Sequence, residues 1–186
     1  MSRQRRENHT VTRSFRISQS AAEALEEEAS RENVSMSTIL NKQLIIFAEY
    51  ERYFRTLGLI RMSLPTLQRL MNGLSEESIA LIGKESGSDT AVSVILARAG
   101  ALSQENAVIY LETLSEFSGM FELSEANSNG KRTITLIHML GTKGSIFLSN
   151  YVEAIFDASG CDPRITSGPH SVTLELIGQT VLGHTN

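Results

Sequence analysis

The chain has 186 residues, with 17 lysines and arginines against 21 acids and a formal charge of -4, a length that allows one ordinary domain or two small ones with a real core. At 41% hydrophobic and 20% charged its composition is neither disordered nor fibrous. No apolar run approaches the roughly 18 residues that span a bilayer, the start Met1-Ser2-Arg3-Gln4-Arg5-Arg6 leads into polar residues, and one cysteine, Cys161, excludes an intramolecular disulfide and a Cys-rich zinc site; the expectation is a soluble, cytoplasmic protein with no membrane partner.

The mean charge conceals an asymmetry. Residues 1–20 hold Arg3, Arg5, Arg6, Arg13 and Arg16 against Glu7 alone, a local charge of +4, so the other 166 residues carry -8. A basic amino-terminal segment on an acidic body predicts a polyanion contact confined to one end. Residues 1–10 read as a flexible basic arm.

Residues 11–17 alternate, with Phe15 and Ile17 on one face and Thr12, Ser14 and Arg16 on the other, which is the period of a strand. Ser18 or Ser20 then opens a helix in which Ala21, Leu25 and Ala29 form a narrow apolar stripe and glutamates fill much of the remaining surface. Asn33 interrupts it. Ser35 is a good cap for a second helix, expected from about Met36 to Leu57 with Leu40, Leu44 and Phe47 on one stripe, and Gly58 ends it as a left-handed cap would. A lone strand needs a partner for its amides and carbonyls, and no nearby segment offers one before residue 120; the economical solution is a homodimer pairing 11–17 with its symmetry mate. Such a ribbon would present Thr12, Ser14 and Arg16 together and fit a DNA major groove.

The run Thr12-Arg13-Ser14-Phe15-Arg16-Ile17-Ser18-Gln19-Ser20, followed by Ala21-Ala22-Glu23-Ala24-Leu25 and by Asn33-Val34-Ser35-Met36-Ser37-Thr38-Ile39-Leu40-Asn41, resembles the ribbon-helix-helix family of DNA-binding proteins. The resemblance covers about 45 residues and rests on a short, degenerate motif. It implies an intertwined β-α-α dimer acting as a transcriptional regulator on double-stranded DNA in the nucleoid, with Thr12, Ser14 and Arg16 as base readers. It also implies a phosphate clamp at Ser35, Met36 and Ser37, to which the charge pattern adds Arg3, Arg5, Arg6 and Arg13. Arg13 departs from the family, which prefers an inward apolar residue there. The chemistry suits these residues: arginine can bond guanine O6 and N7 in parallel, and helix amino termini bind phosphate with backbone N–H groups.

Beyond Gly58 the pattern predicts a helical connector over 59–100. Ser63-Leu64-Pro65 starts a helix that ends near Asn72-Gly73, Ser75 opens another, Ser86-Gly87-Ser88-Asp89 reads as a loop, and 91–99 as a buried helix. A small α+β domain is expected over 101–186. It opens with a helix from Ser103 to about Ser118. Strands at 120–124 and 132–140 are joined through Asn129-Gly130, a helix spans 145–158, and a last strand carries Val172, Leu174 and Leu176. Strand, helix and strand over 132–177 could form a βαβ unit. Arg61-Met62-Ser63 and the run from His138 to Ser145 resemble archaeal-type proteins carrying the same fusion, which implies no activity.

Two constellations remain. Gly141, Thr142, Lys143, Gly144 and Ser145 lie between a strand and a helix where amides could hold an anion, although the spacing is not that of a phosphate loop and an ordinary βα turn is the alternative. His138, Cys161 and His170 could hold a metal if the fold converged them, but no close ligand pair exists and His138 shares a strand face with Ile134 and Leu136, as a buried, hydrogen-bonded histidine would. No cofactor is expected, and no nucleophile–base pattern points to an enzyme. The α+β reading is therefore a ribbon-helix-helix module at 11–58, a connector and a carboxy-terminal effector or assembly domain. Two other functions stay open: an antitoxin-like protein-interaction module, and a regulator responsive to a metal or metabolite through 101–186.

Overall fold

The computed structural model describes residues 11–55, 57–58, 60–128 and 131–177. The chain divides into two compact units, one ending at Ile45 and the other beginning at Ile46.

The first unit is helical. Ser18 caps α1 (Gln19–Glu32), its hydroxyl accepting from the Ala21 amide at 3.3 Å. Asn33 ends the helix in the left-handed region at φ 53°, directing its N–H to the carbonyls of Ala29 and Ser30, a conformation that asparagine tolerates better than most side chains. Ser35 then caps α2 (Met36–Ile46), accepting from the Thr38 amide at 3.1 Å. Only Ala29 and Ile39 are buried in this pair of helices.

The expected strand at 11–17 is not formed. These residues are irregular and exposed along their whole length, and every strand among the described residues lies between Glu122 and Ile177. The ribbon-helix-helix fold is therefore corrected to a pair of helices preceded by an irregular segment. Alternation settles which side chains would share a face; it supplies no neighbouring strand, and without a ladder the backbone has no β hydrogen bonds to make.

The second unit is α+β. It opens with a π-helical turn, Phe47–Glu51, and the short α3 (Arg52–Phe54), closed by Gly58 at φ 77°. Three helices follow: α4 (Leu64–Asn72), with Pro65 in its first turn; α5 (Glu76–Glu85), capped by Ser75; and α6 (Val92–Ala99), ended by Gly100. The expected loop at 86–89 is instead π-helical, Ser86–Ala91, running from α5 towards α6. Gly83 and Gly87 explain why: a Cβ on Gly83 would stand 2.5 Å from the Phe147 carbonyl oxygen, and one on Gly87 2.3 Å from that of Tyr151. The close approach of two helix backbones requires glycine there, outweighing the loop-forming tendency of the sequence.

The remaining elements are α7 (Gln104–Phe117), β1 (Glu122–Ser128), β2 (Lys131–Ile137), α8 (Gly141–Ala158), β3 (Arg164–Gly168) and β4 (Ser171–Ile177). The sheet is wholly antiparallel in the order β1-β2-β4-β3, so the expected βαβ unit is replaced by two hairpins joined through α8. Ile134 and Leu136 of β2 and Val172, Leu174 and Leu176 of β4 share one core with Leu148, Val152, Ile155 and Phe156 of α8 and with Leu111 and Leu114 of α7. On the opposite face Ser124, Thr135, Thr173 and Thr166 form one row across the four strands, with the Thr135 and Thr173 hydroxyls 3.1 Å apart.

Candidate nucleic-acid interface

In the first unit Thr12, Arg13, Ser14 and Arg16 are all exposed. Arg13 donates to the Thr12 carbonyl at 3.1 Å, and neither Arg13 nor Arg16 forms an ion pair among the described residues. The other two cations among the described residues of this unit are engaged: Arg31 pairs with Glu28 at 2.5 Å and Lys42 with Glu32 at 3.6 Å. The Glu28 carboxyl is held below its usual range chiefly by the hydrogen bond from Arg31. Among the described residues of this unit, unpaired positive charge thus lies in the segment before α1, while α1 itself carries Glu23, Glu26, Glu27, Glu28 and Glu32.

The start of α2 adds neutral donors. Thr38 and Ile39 direct their amides to the Ser35 carbonyl at 2.9 and 3.2 Å, leaving the N–H groups of Met36 and Ser37 without an acceptor among the described residues. Ser35 and Ser37 are exposed and Met36 is half-buried. Ser35 spends its hydroxyl on the cap and on Thr38 Oγ1, 2.8 Å away, so an anion here would meet backbone amides and the Ser37 hydroxyl. Arg3, Arg5 and Arg6 lie outside the described residues, as does the Asn129-Gly130 turn.

The second unit places the other candidates in internal roles. Gly141, Thr142, Lys143, Gly144 and Ser145 form the first turns of α8 rather than a loop before it. Lys143 donates to the carbonyls of Asn72, at 3.0 Å, and Leu74, closing the end of α4. Gly144 is packed so tightly that a Cβ would come within 2.2 Å of the Leu140 Cβ and 3.3 Å of the His138 ring. Thr142 alone of the five is exposed. The ammonium and the hydroxyl that could have gripped an anion are both bonded within the protein.

His138 and Ser145 form a pair that the sequence pattern did not disclose. His138 Nδ1 accepts from the Leu140 amide at 3.2 Å, which assigns the ring proton to Nε2; that nitrogen donates to Ser145 Oγ at 3.0 Å, and Ser145 donates onward to the Gly168 carbonyl at 2.5 Å. The direction of these bonds decides the chemistry. A general base must offer Nε2 as an acceptor to the serine, whereas here it is the donor, and both residues are 2% exposed. The chain of bonds is a latch joining the end of β2, the start of α8 and the β3–β4 turn. Burial, and then His170, lowers the His138 pKa, in keeping with a neutral ring. The His138 and His170 rings are 6.4 Å apart, and no group of three metal-ligating side chains converges among the described residues, so His138, Cys161 and His170 are not brought together.

No family model matches the chain, and no curated protein matches it.

Proposed function

We propose that the chain is a dimeric DNA-binding regulator whose first unit meets the duplex. The observation that carries this reading is the exposed segment on which Arg13 and Arg16, unpaired among the described residues, follow the three arginines of the sequence at 1–10; the start of α2 in the same unit adds two open N–H groups. Arginines of this kind neutralise phosphates and displace counterions, and an amide-lined helix start grips one phosphate in a fixed direction. The acidic surface of α1 opposes non-specific wrapping and keeps the contact to one edge.

A second copy of the chain supplies what this unit lacks. Two helices burying only Ala29 and Ile39 form too small a core to hold an arrangement of about 35 residues. Apolar side chains lie open beside them: Val11, Phe15 and Ile17 before α1, and Val34, Leu44 and Ile45 around α2. Their burial against a partner stabilises the unit and doubles the arginines presented to DNA. This reading invokes no strand pairing within the chain.

Selection from random duplexes followed by a gel-shift series tests it. The selected duplex binds in preference to a scrambled one, and Arg16→Ala reduces that preference by about 1–3 kcal/mol while some non-specific binding remains. Unchanged discrimination removes Arg16 from base reading; failure to select any duplex removes the function.

A further inference from the structure

The β3–β4 turn is held to the rest of the second unit through the His138 latch. The His138 amide donates to the His170 carbonyl at 3.0 Å, and Ser145 Oγ donates to that of Gly168 at 2.5 Å. β3 is an edge strand whose ladder bonds run to β4 alone, so these two ties are what join its turn to the end of β2 and the start of α8.

The latch requires a neutral ring. His138 Nδ1 accepts from the Leu140 amide at 3.2 Å while Nε2 donates to Ser145. A second ring proton would occupy Nδ1 and set an N–H against the Leu140 N–H, donor against donor. The charge it brings would be 2% exposed, on a ring packed so closely over Gly144 that a Cβ there would lie 3.3 Å from it. The surroundings do not offset that charge. From the turn, the His170 ring is 6.4 Å away and opposes it. From α8, Lys143 is a further cation, bonded to the Asn72 and Leu74 carbonyls; from α4, Gln68 beside Met139 is neutral. The nearby carboxylate of β1, Glu122, is the ladder partner of Ile137 and so belongs to the other face of the sheet.

We propose that His138 is an acid-operated latch: protonation of its ring releases the β3–β4 turn from the start of α8 by local opening, while the core of the unit stays in place. Burial, and then His170, hold the folded pKa below the usual 6.5, so the open form, with its ring in water, binds the proton more readily. Opening therefore takes up a proton. It is favoured progressively as pH falls from about 6.5 and levels below the folded value. The device uses residues of the second unit alone and requires neither DNA nor a dimer, so its test is independent of the proposed function.

Amide hydrogen exchange on the full chain, followed by NMR between pH 7.5 and 5.5, tests it. The amides of His138 and Leu140 report the latch, and those of Val152, Ile155 and Phe156 report the core. The latch amides are expected to be about tenfold or more less protected than the core ones, and to keep their protection in dilute urea because local opening exposes little surface. That protection is expected to fall about three- to tenfold from pH 7.5 to 5.5, and the fall to vanish in His138→Gln. Latch amides with the same protection and urea dependence as the core would open only with the whole unit, which overturns the proposal. Protection independent of pH, or a fall that survives in His138→Gln, also overturns it. Should the variant not fold, the 15N resonances of the ring in the unaltered protein decide: titration of His138 in step with the loss of protection at Leu140 supports the latch, and titration without that loss overturns it.

Discussion

Replacing Gly87 with alanine sets two opposed effects against each other. In an exposed helix the change is favourable by about 1 kcal/mol, because alanine loses less backbone freedom on folding. At Gly87 the new methyl would stand 2.3 Å from the Tyr151 carbonyl oxygen, 3.1 Å from its carbon and 2.9 Å from the Ala154 Cβ. Ordinary contact begins near 3.4 Å, so the π-helical turn and α8 must separate by about 1 Å or distort, and all three obstructing atoms are backbone or backbone-anchored. Overpacking costs about 1–3 kcal/mol, occasionally more, and a rigid neighbour places this site at the upper end. The balance is a loss of about 2 kcal/mol, or about 4–8 °C in Tm for a chain of this size. Urea unfolding followed by circular dichroism measures it, with Lys84→Ala on the exposed side of α5 as a control that moves stability by less than about 0.5 kcal/mol. A Gly87→Ala protein more stable than its parent would refute the packing argument.

The His138 latch predicts a pH dependence. Its folded pKa lies below the usual 6.5, so below pH 6.5 the unfolded chain binds more protons than the folded one; stability is lost as pH falls from about 6.5 through the folded value and then levels. Urea midpoints between pH 5 and 8 measure the slope, which should flatten in His138→Gln; an identical slope in the two proteins removes His138 as its source. Lys143→Met withdraws the ammonium from the Asn72 and Leu74 carbonyls and should cost about 1 kcal/mol, read as a lower urea midpoint at constant m; an unshifted midpoint would show that water replaces the cap without loss.

Local chemistry was legible in the sequence where a few neighbouring residues decide it. Ser18 and Ser35 cap their helices, Asn33 ends α1 where the apolar pattern breaks, and Gly58 takes the expected left-handed conformation, although it follows α3 rather than a single helix from Met36 to Leu57; each depends on hydrogen bonds within four or five residues. The hairpin of β1 and β2 was visible from the strand patterns on either side of Asn129-Gly130, although its strands run Glu122–Ser128 and Lys131–Ile137 rather than 120–124 and 132–140. Strand β3 was missed: Arg164–Gly168 has Ile165 as its one large apolar side chain and lies between Pro163 and Pro169, the composition of an edge strand whose order comes from β4. The 11–17 segment erred in the other direction, since its alternation is genuine while the partner strand it needs is absent from the chain's own ladder. The glycine seam and the His138–Ser145 pair depend on which helix faces which, and spacing along one chain carries no such information. In retrospect the four-residue interval between Gly83 and Gly87 was the one available sign of close helix packing.

The central claim is that unpaired arginines before α1, doubled by a second copy, bind duplex DNA. Affinity for a selected duplex, measured by fluorescence anisotropy from 50 to 300 mM salt, tests it most directly. If about six to ten phosphates are neutralised, log K falls against log salt with a slope of about -5 to -9. A slope near zero, or one that is unchanged when Arg13 and Arg16 are both replaced by alanine, contradicts the account.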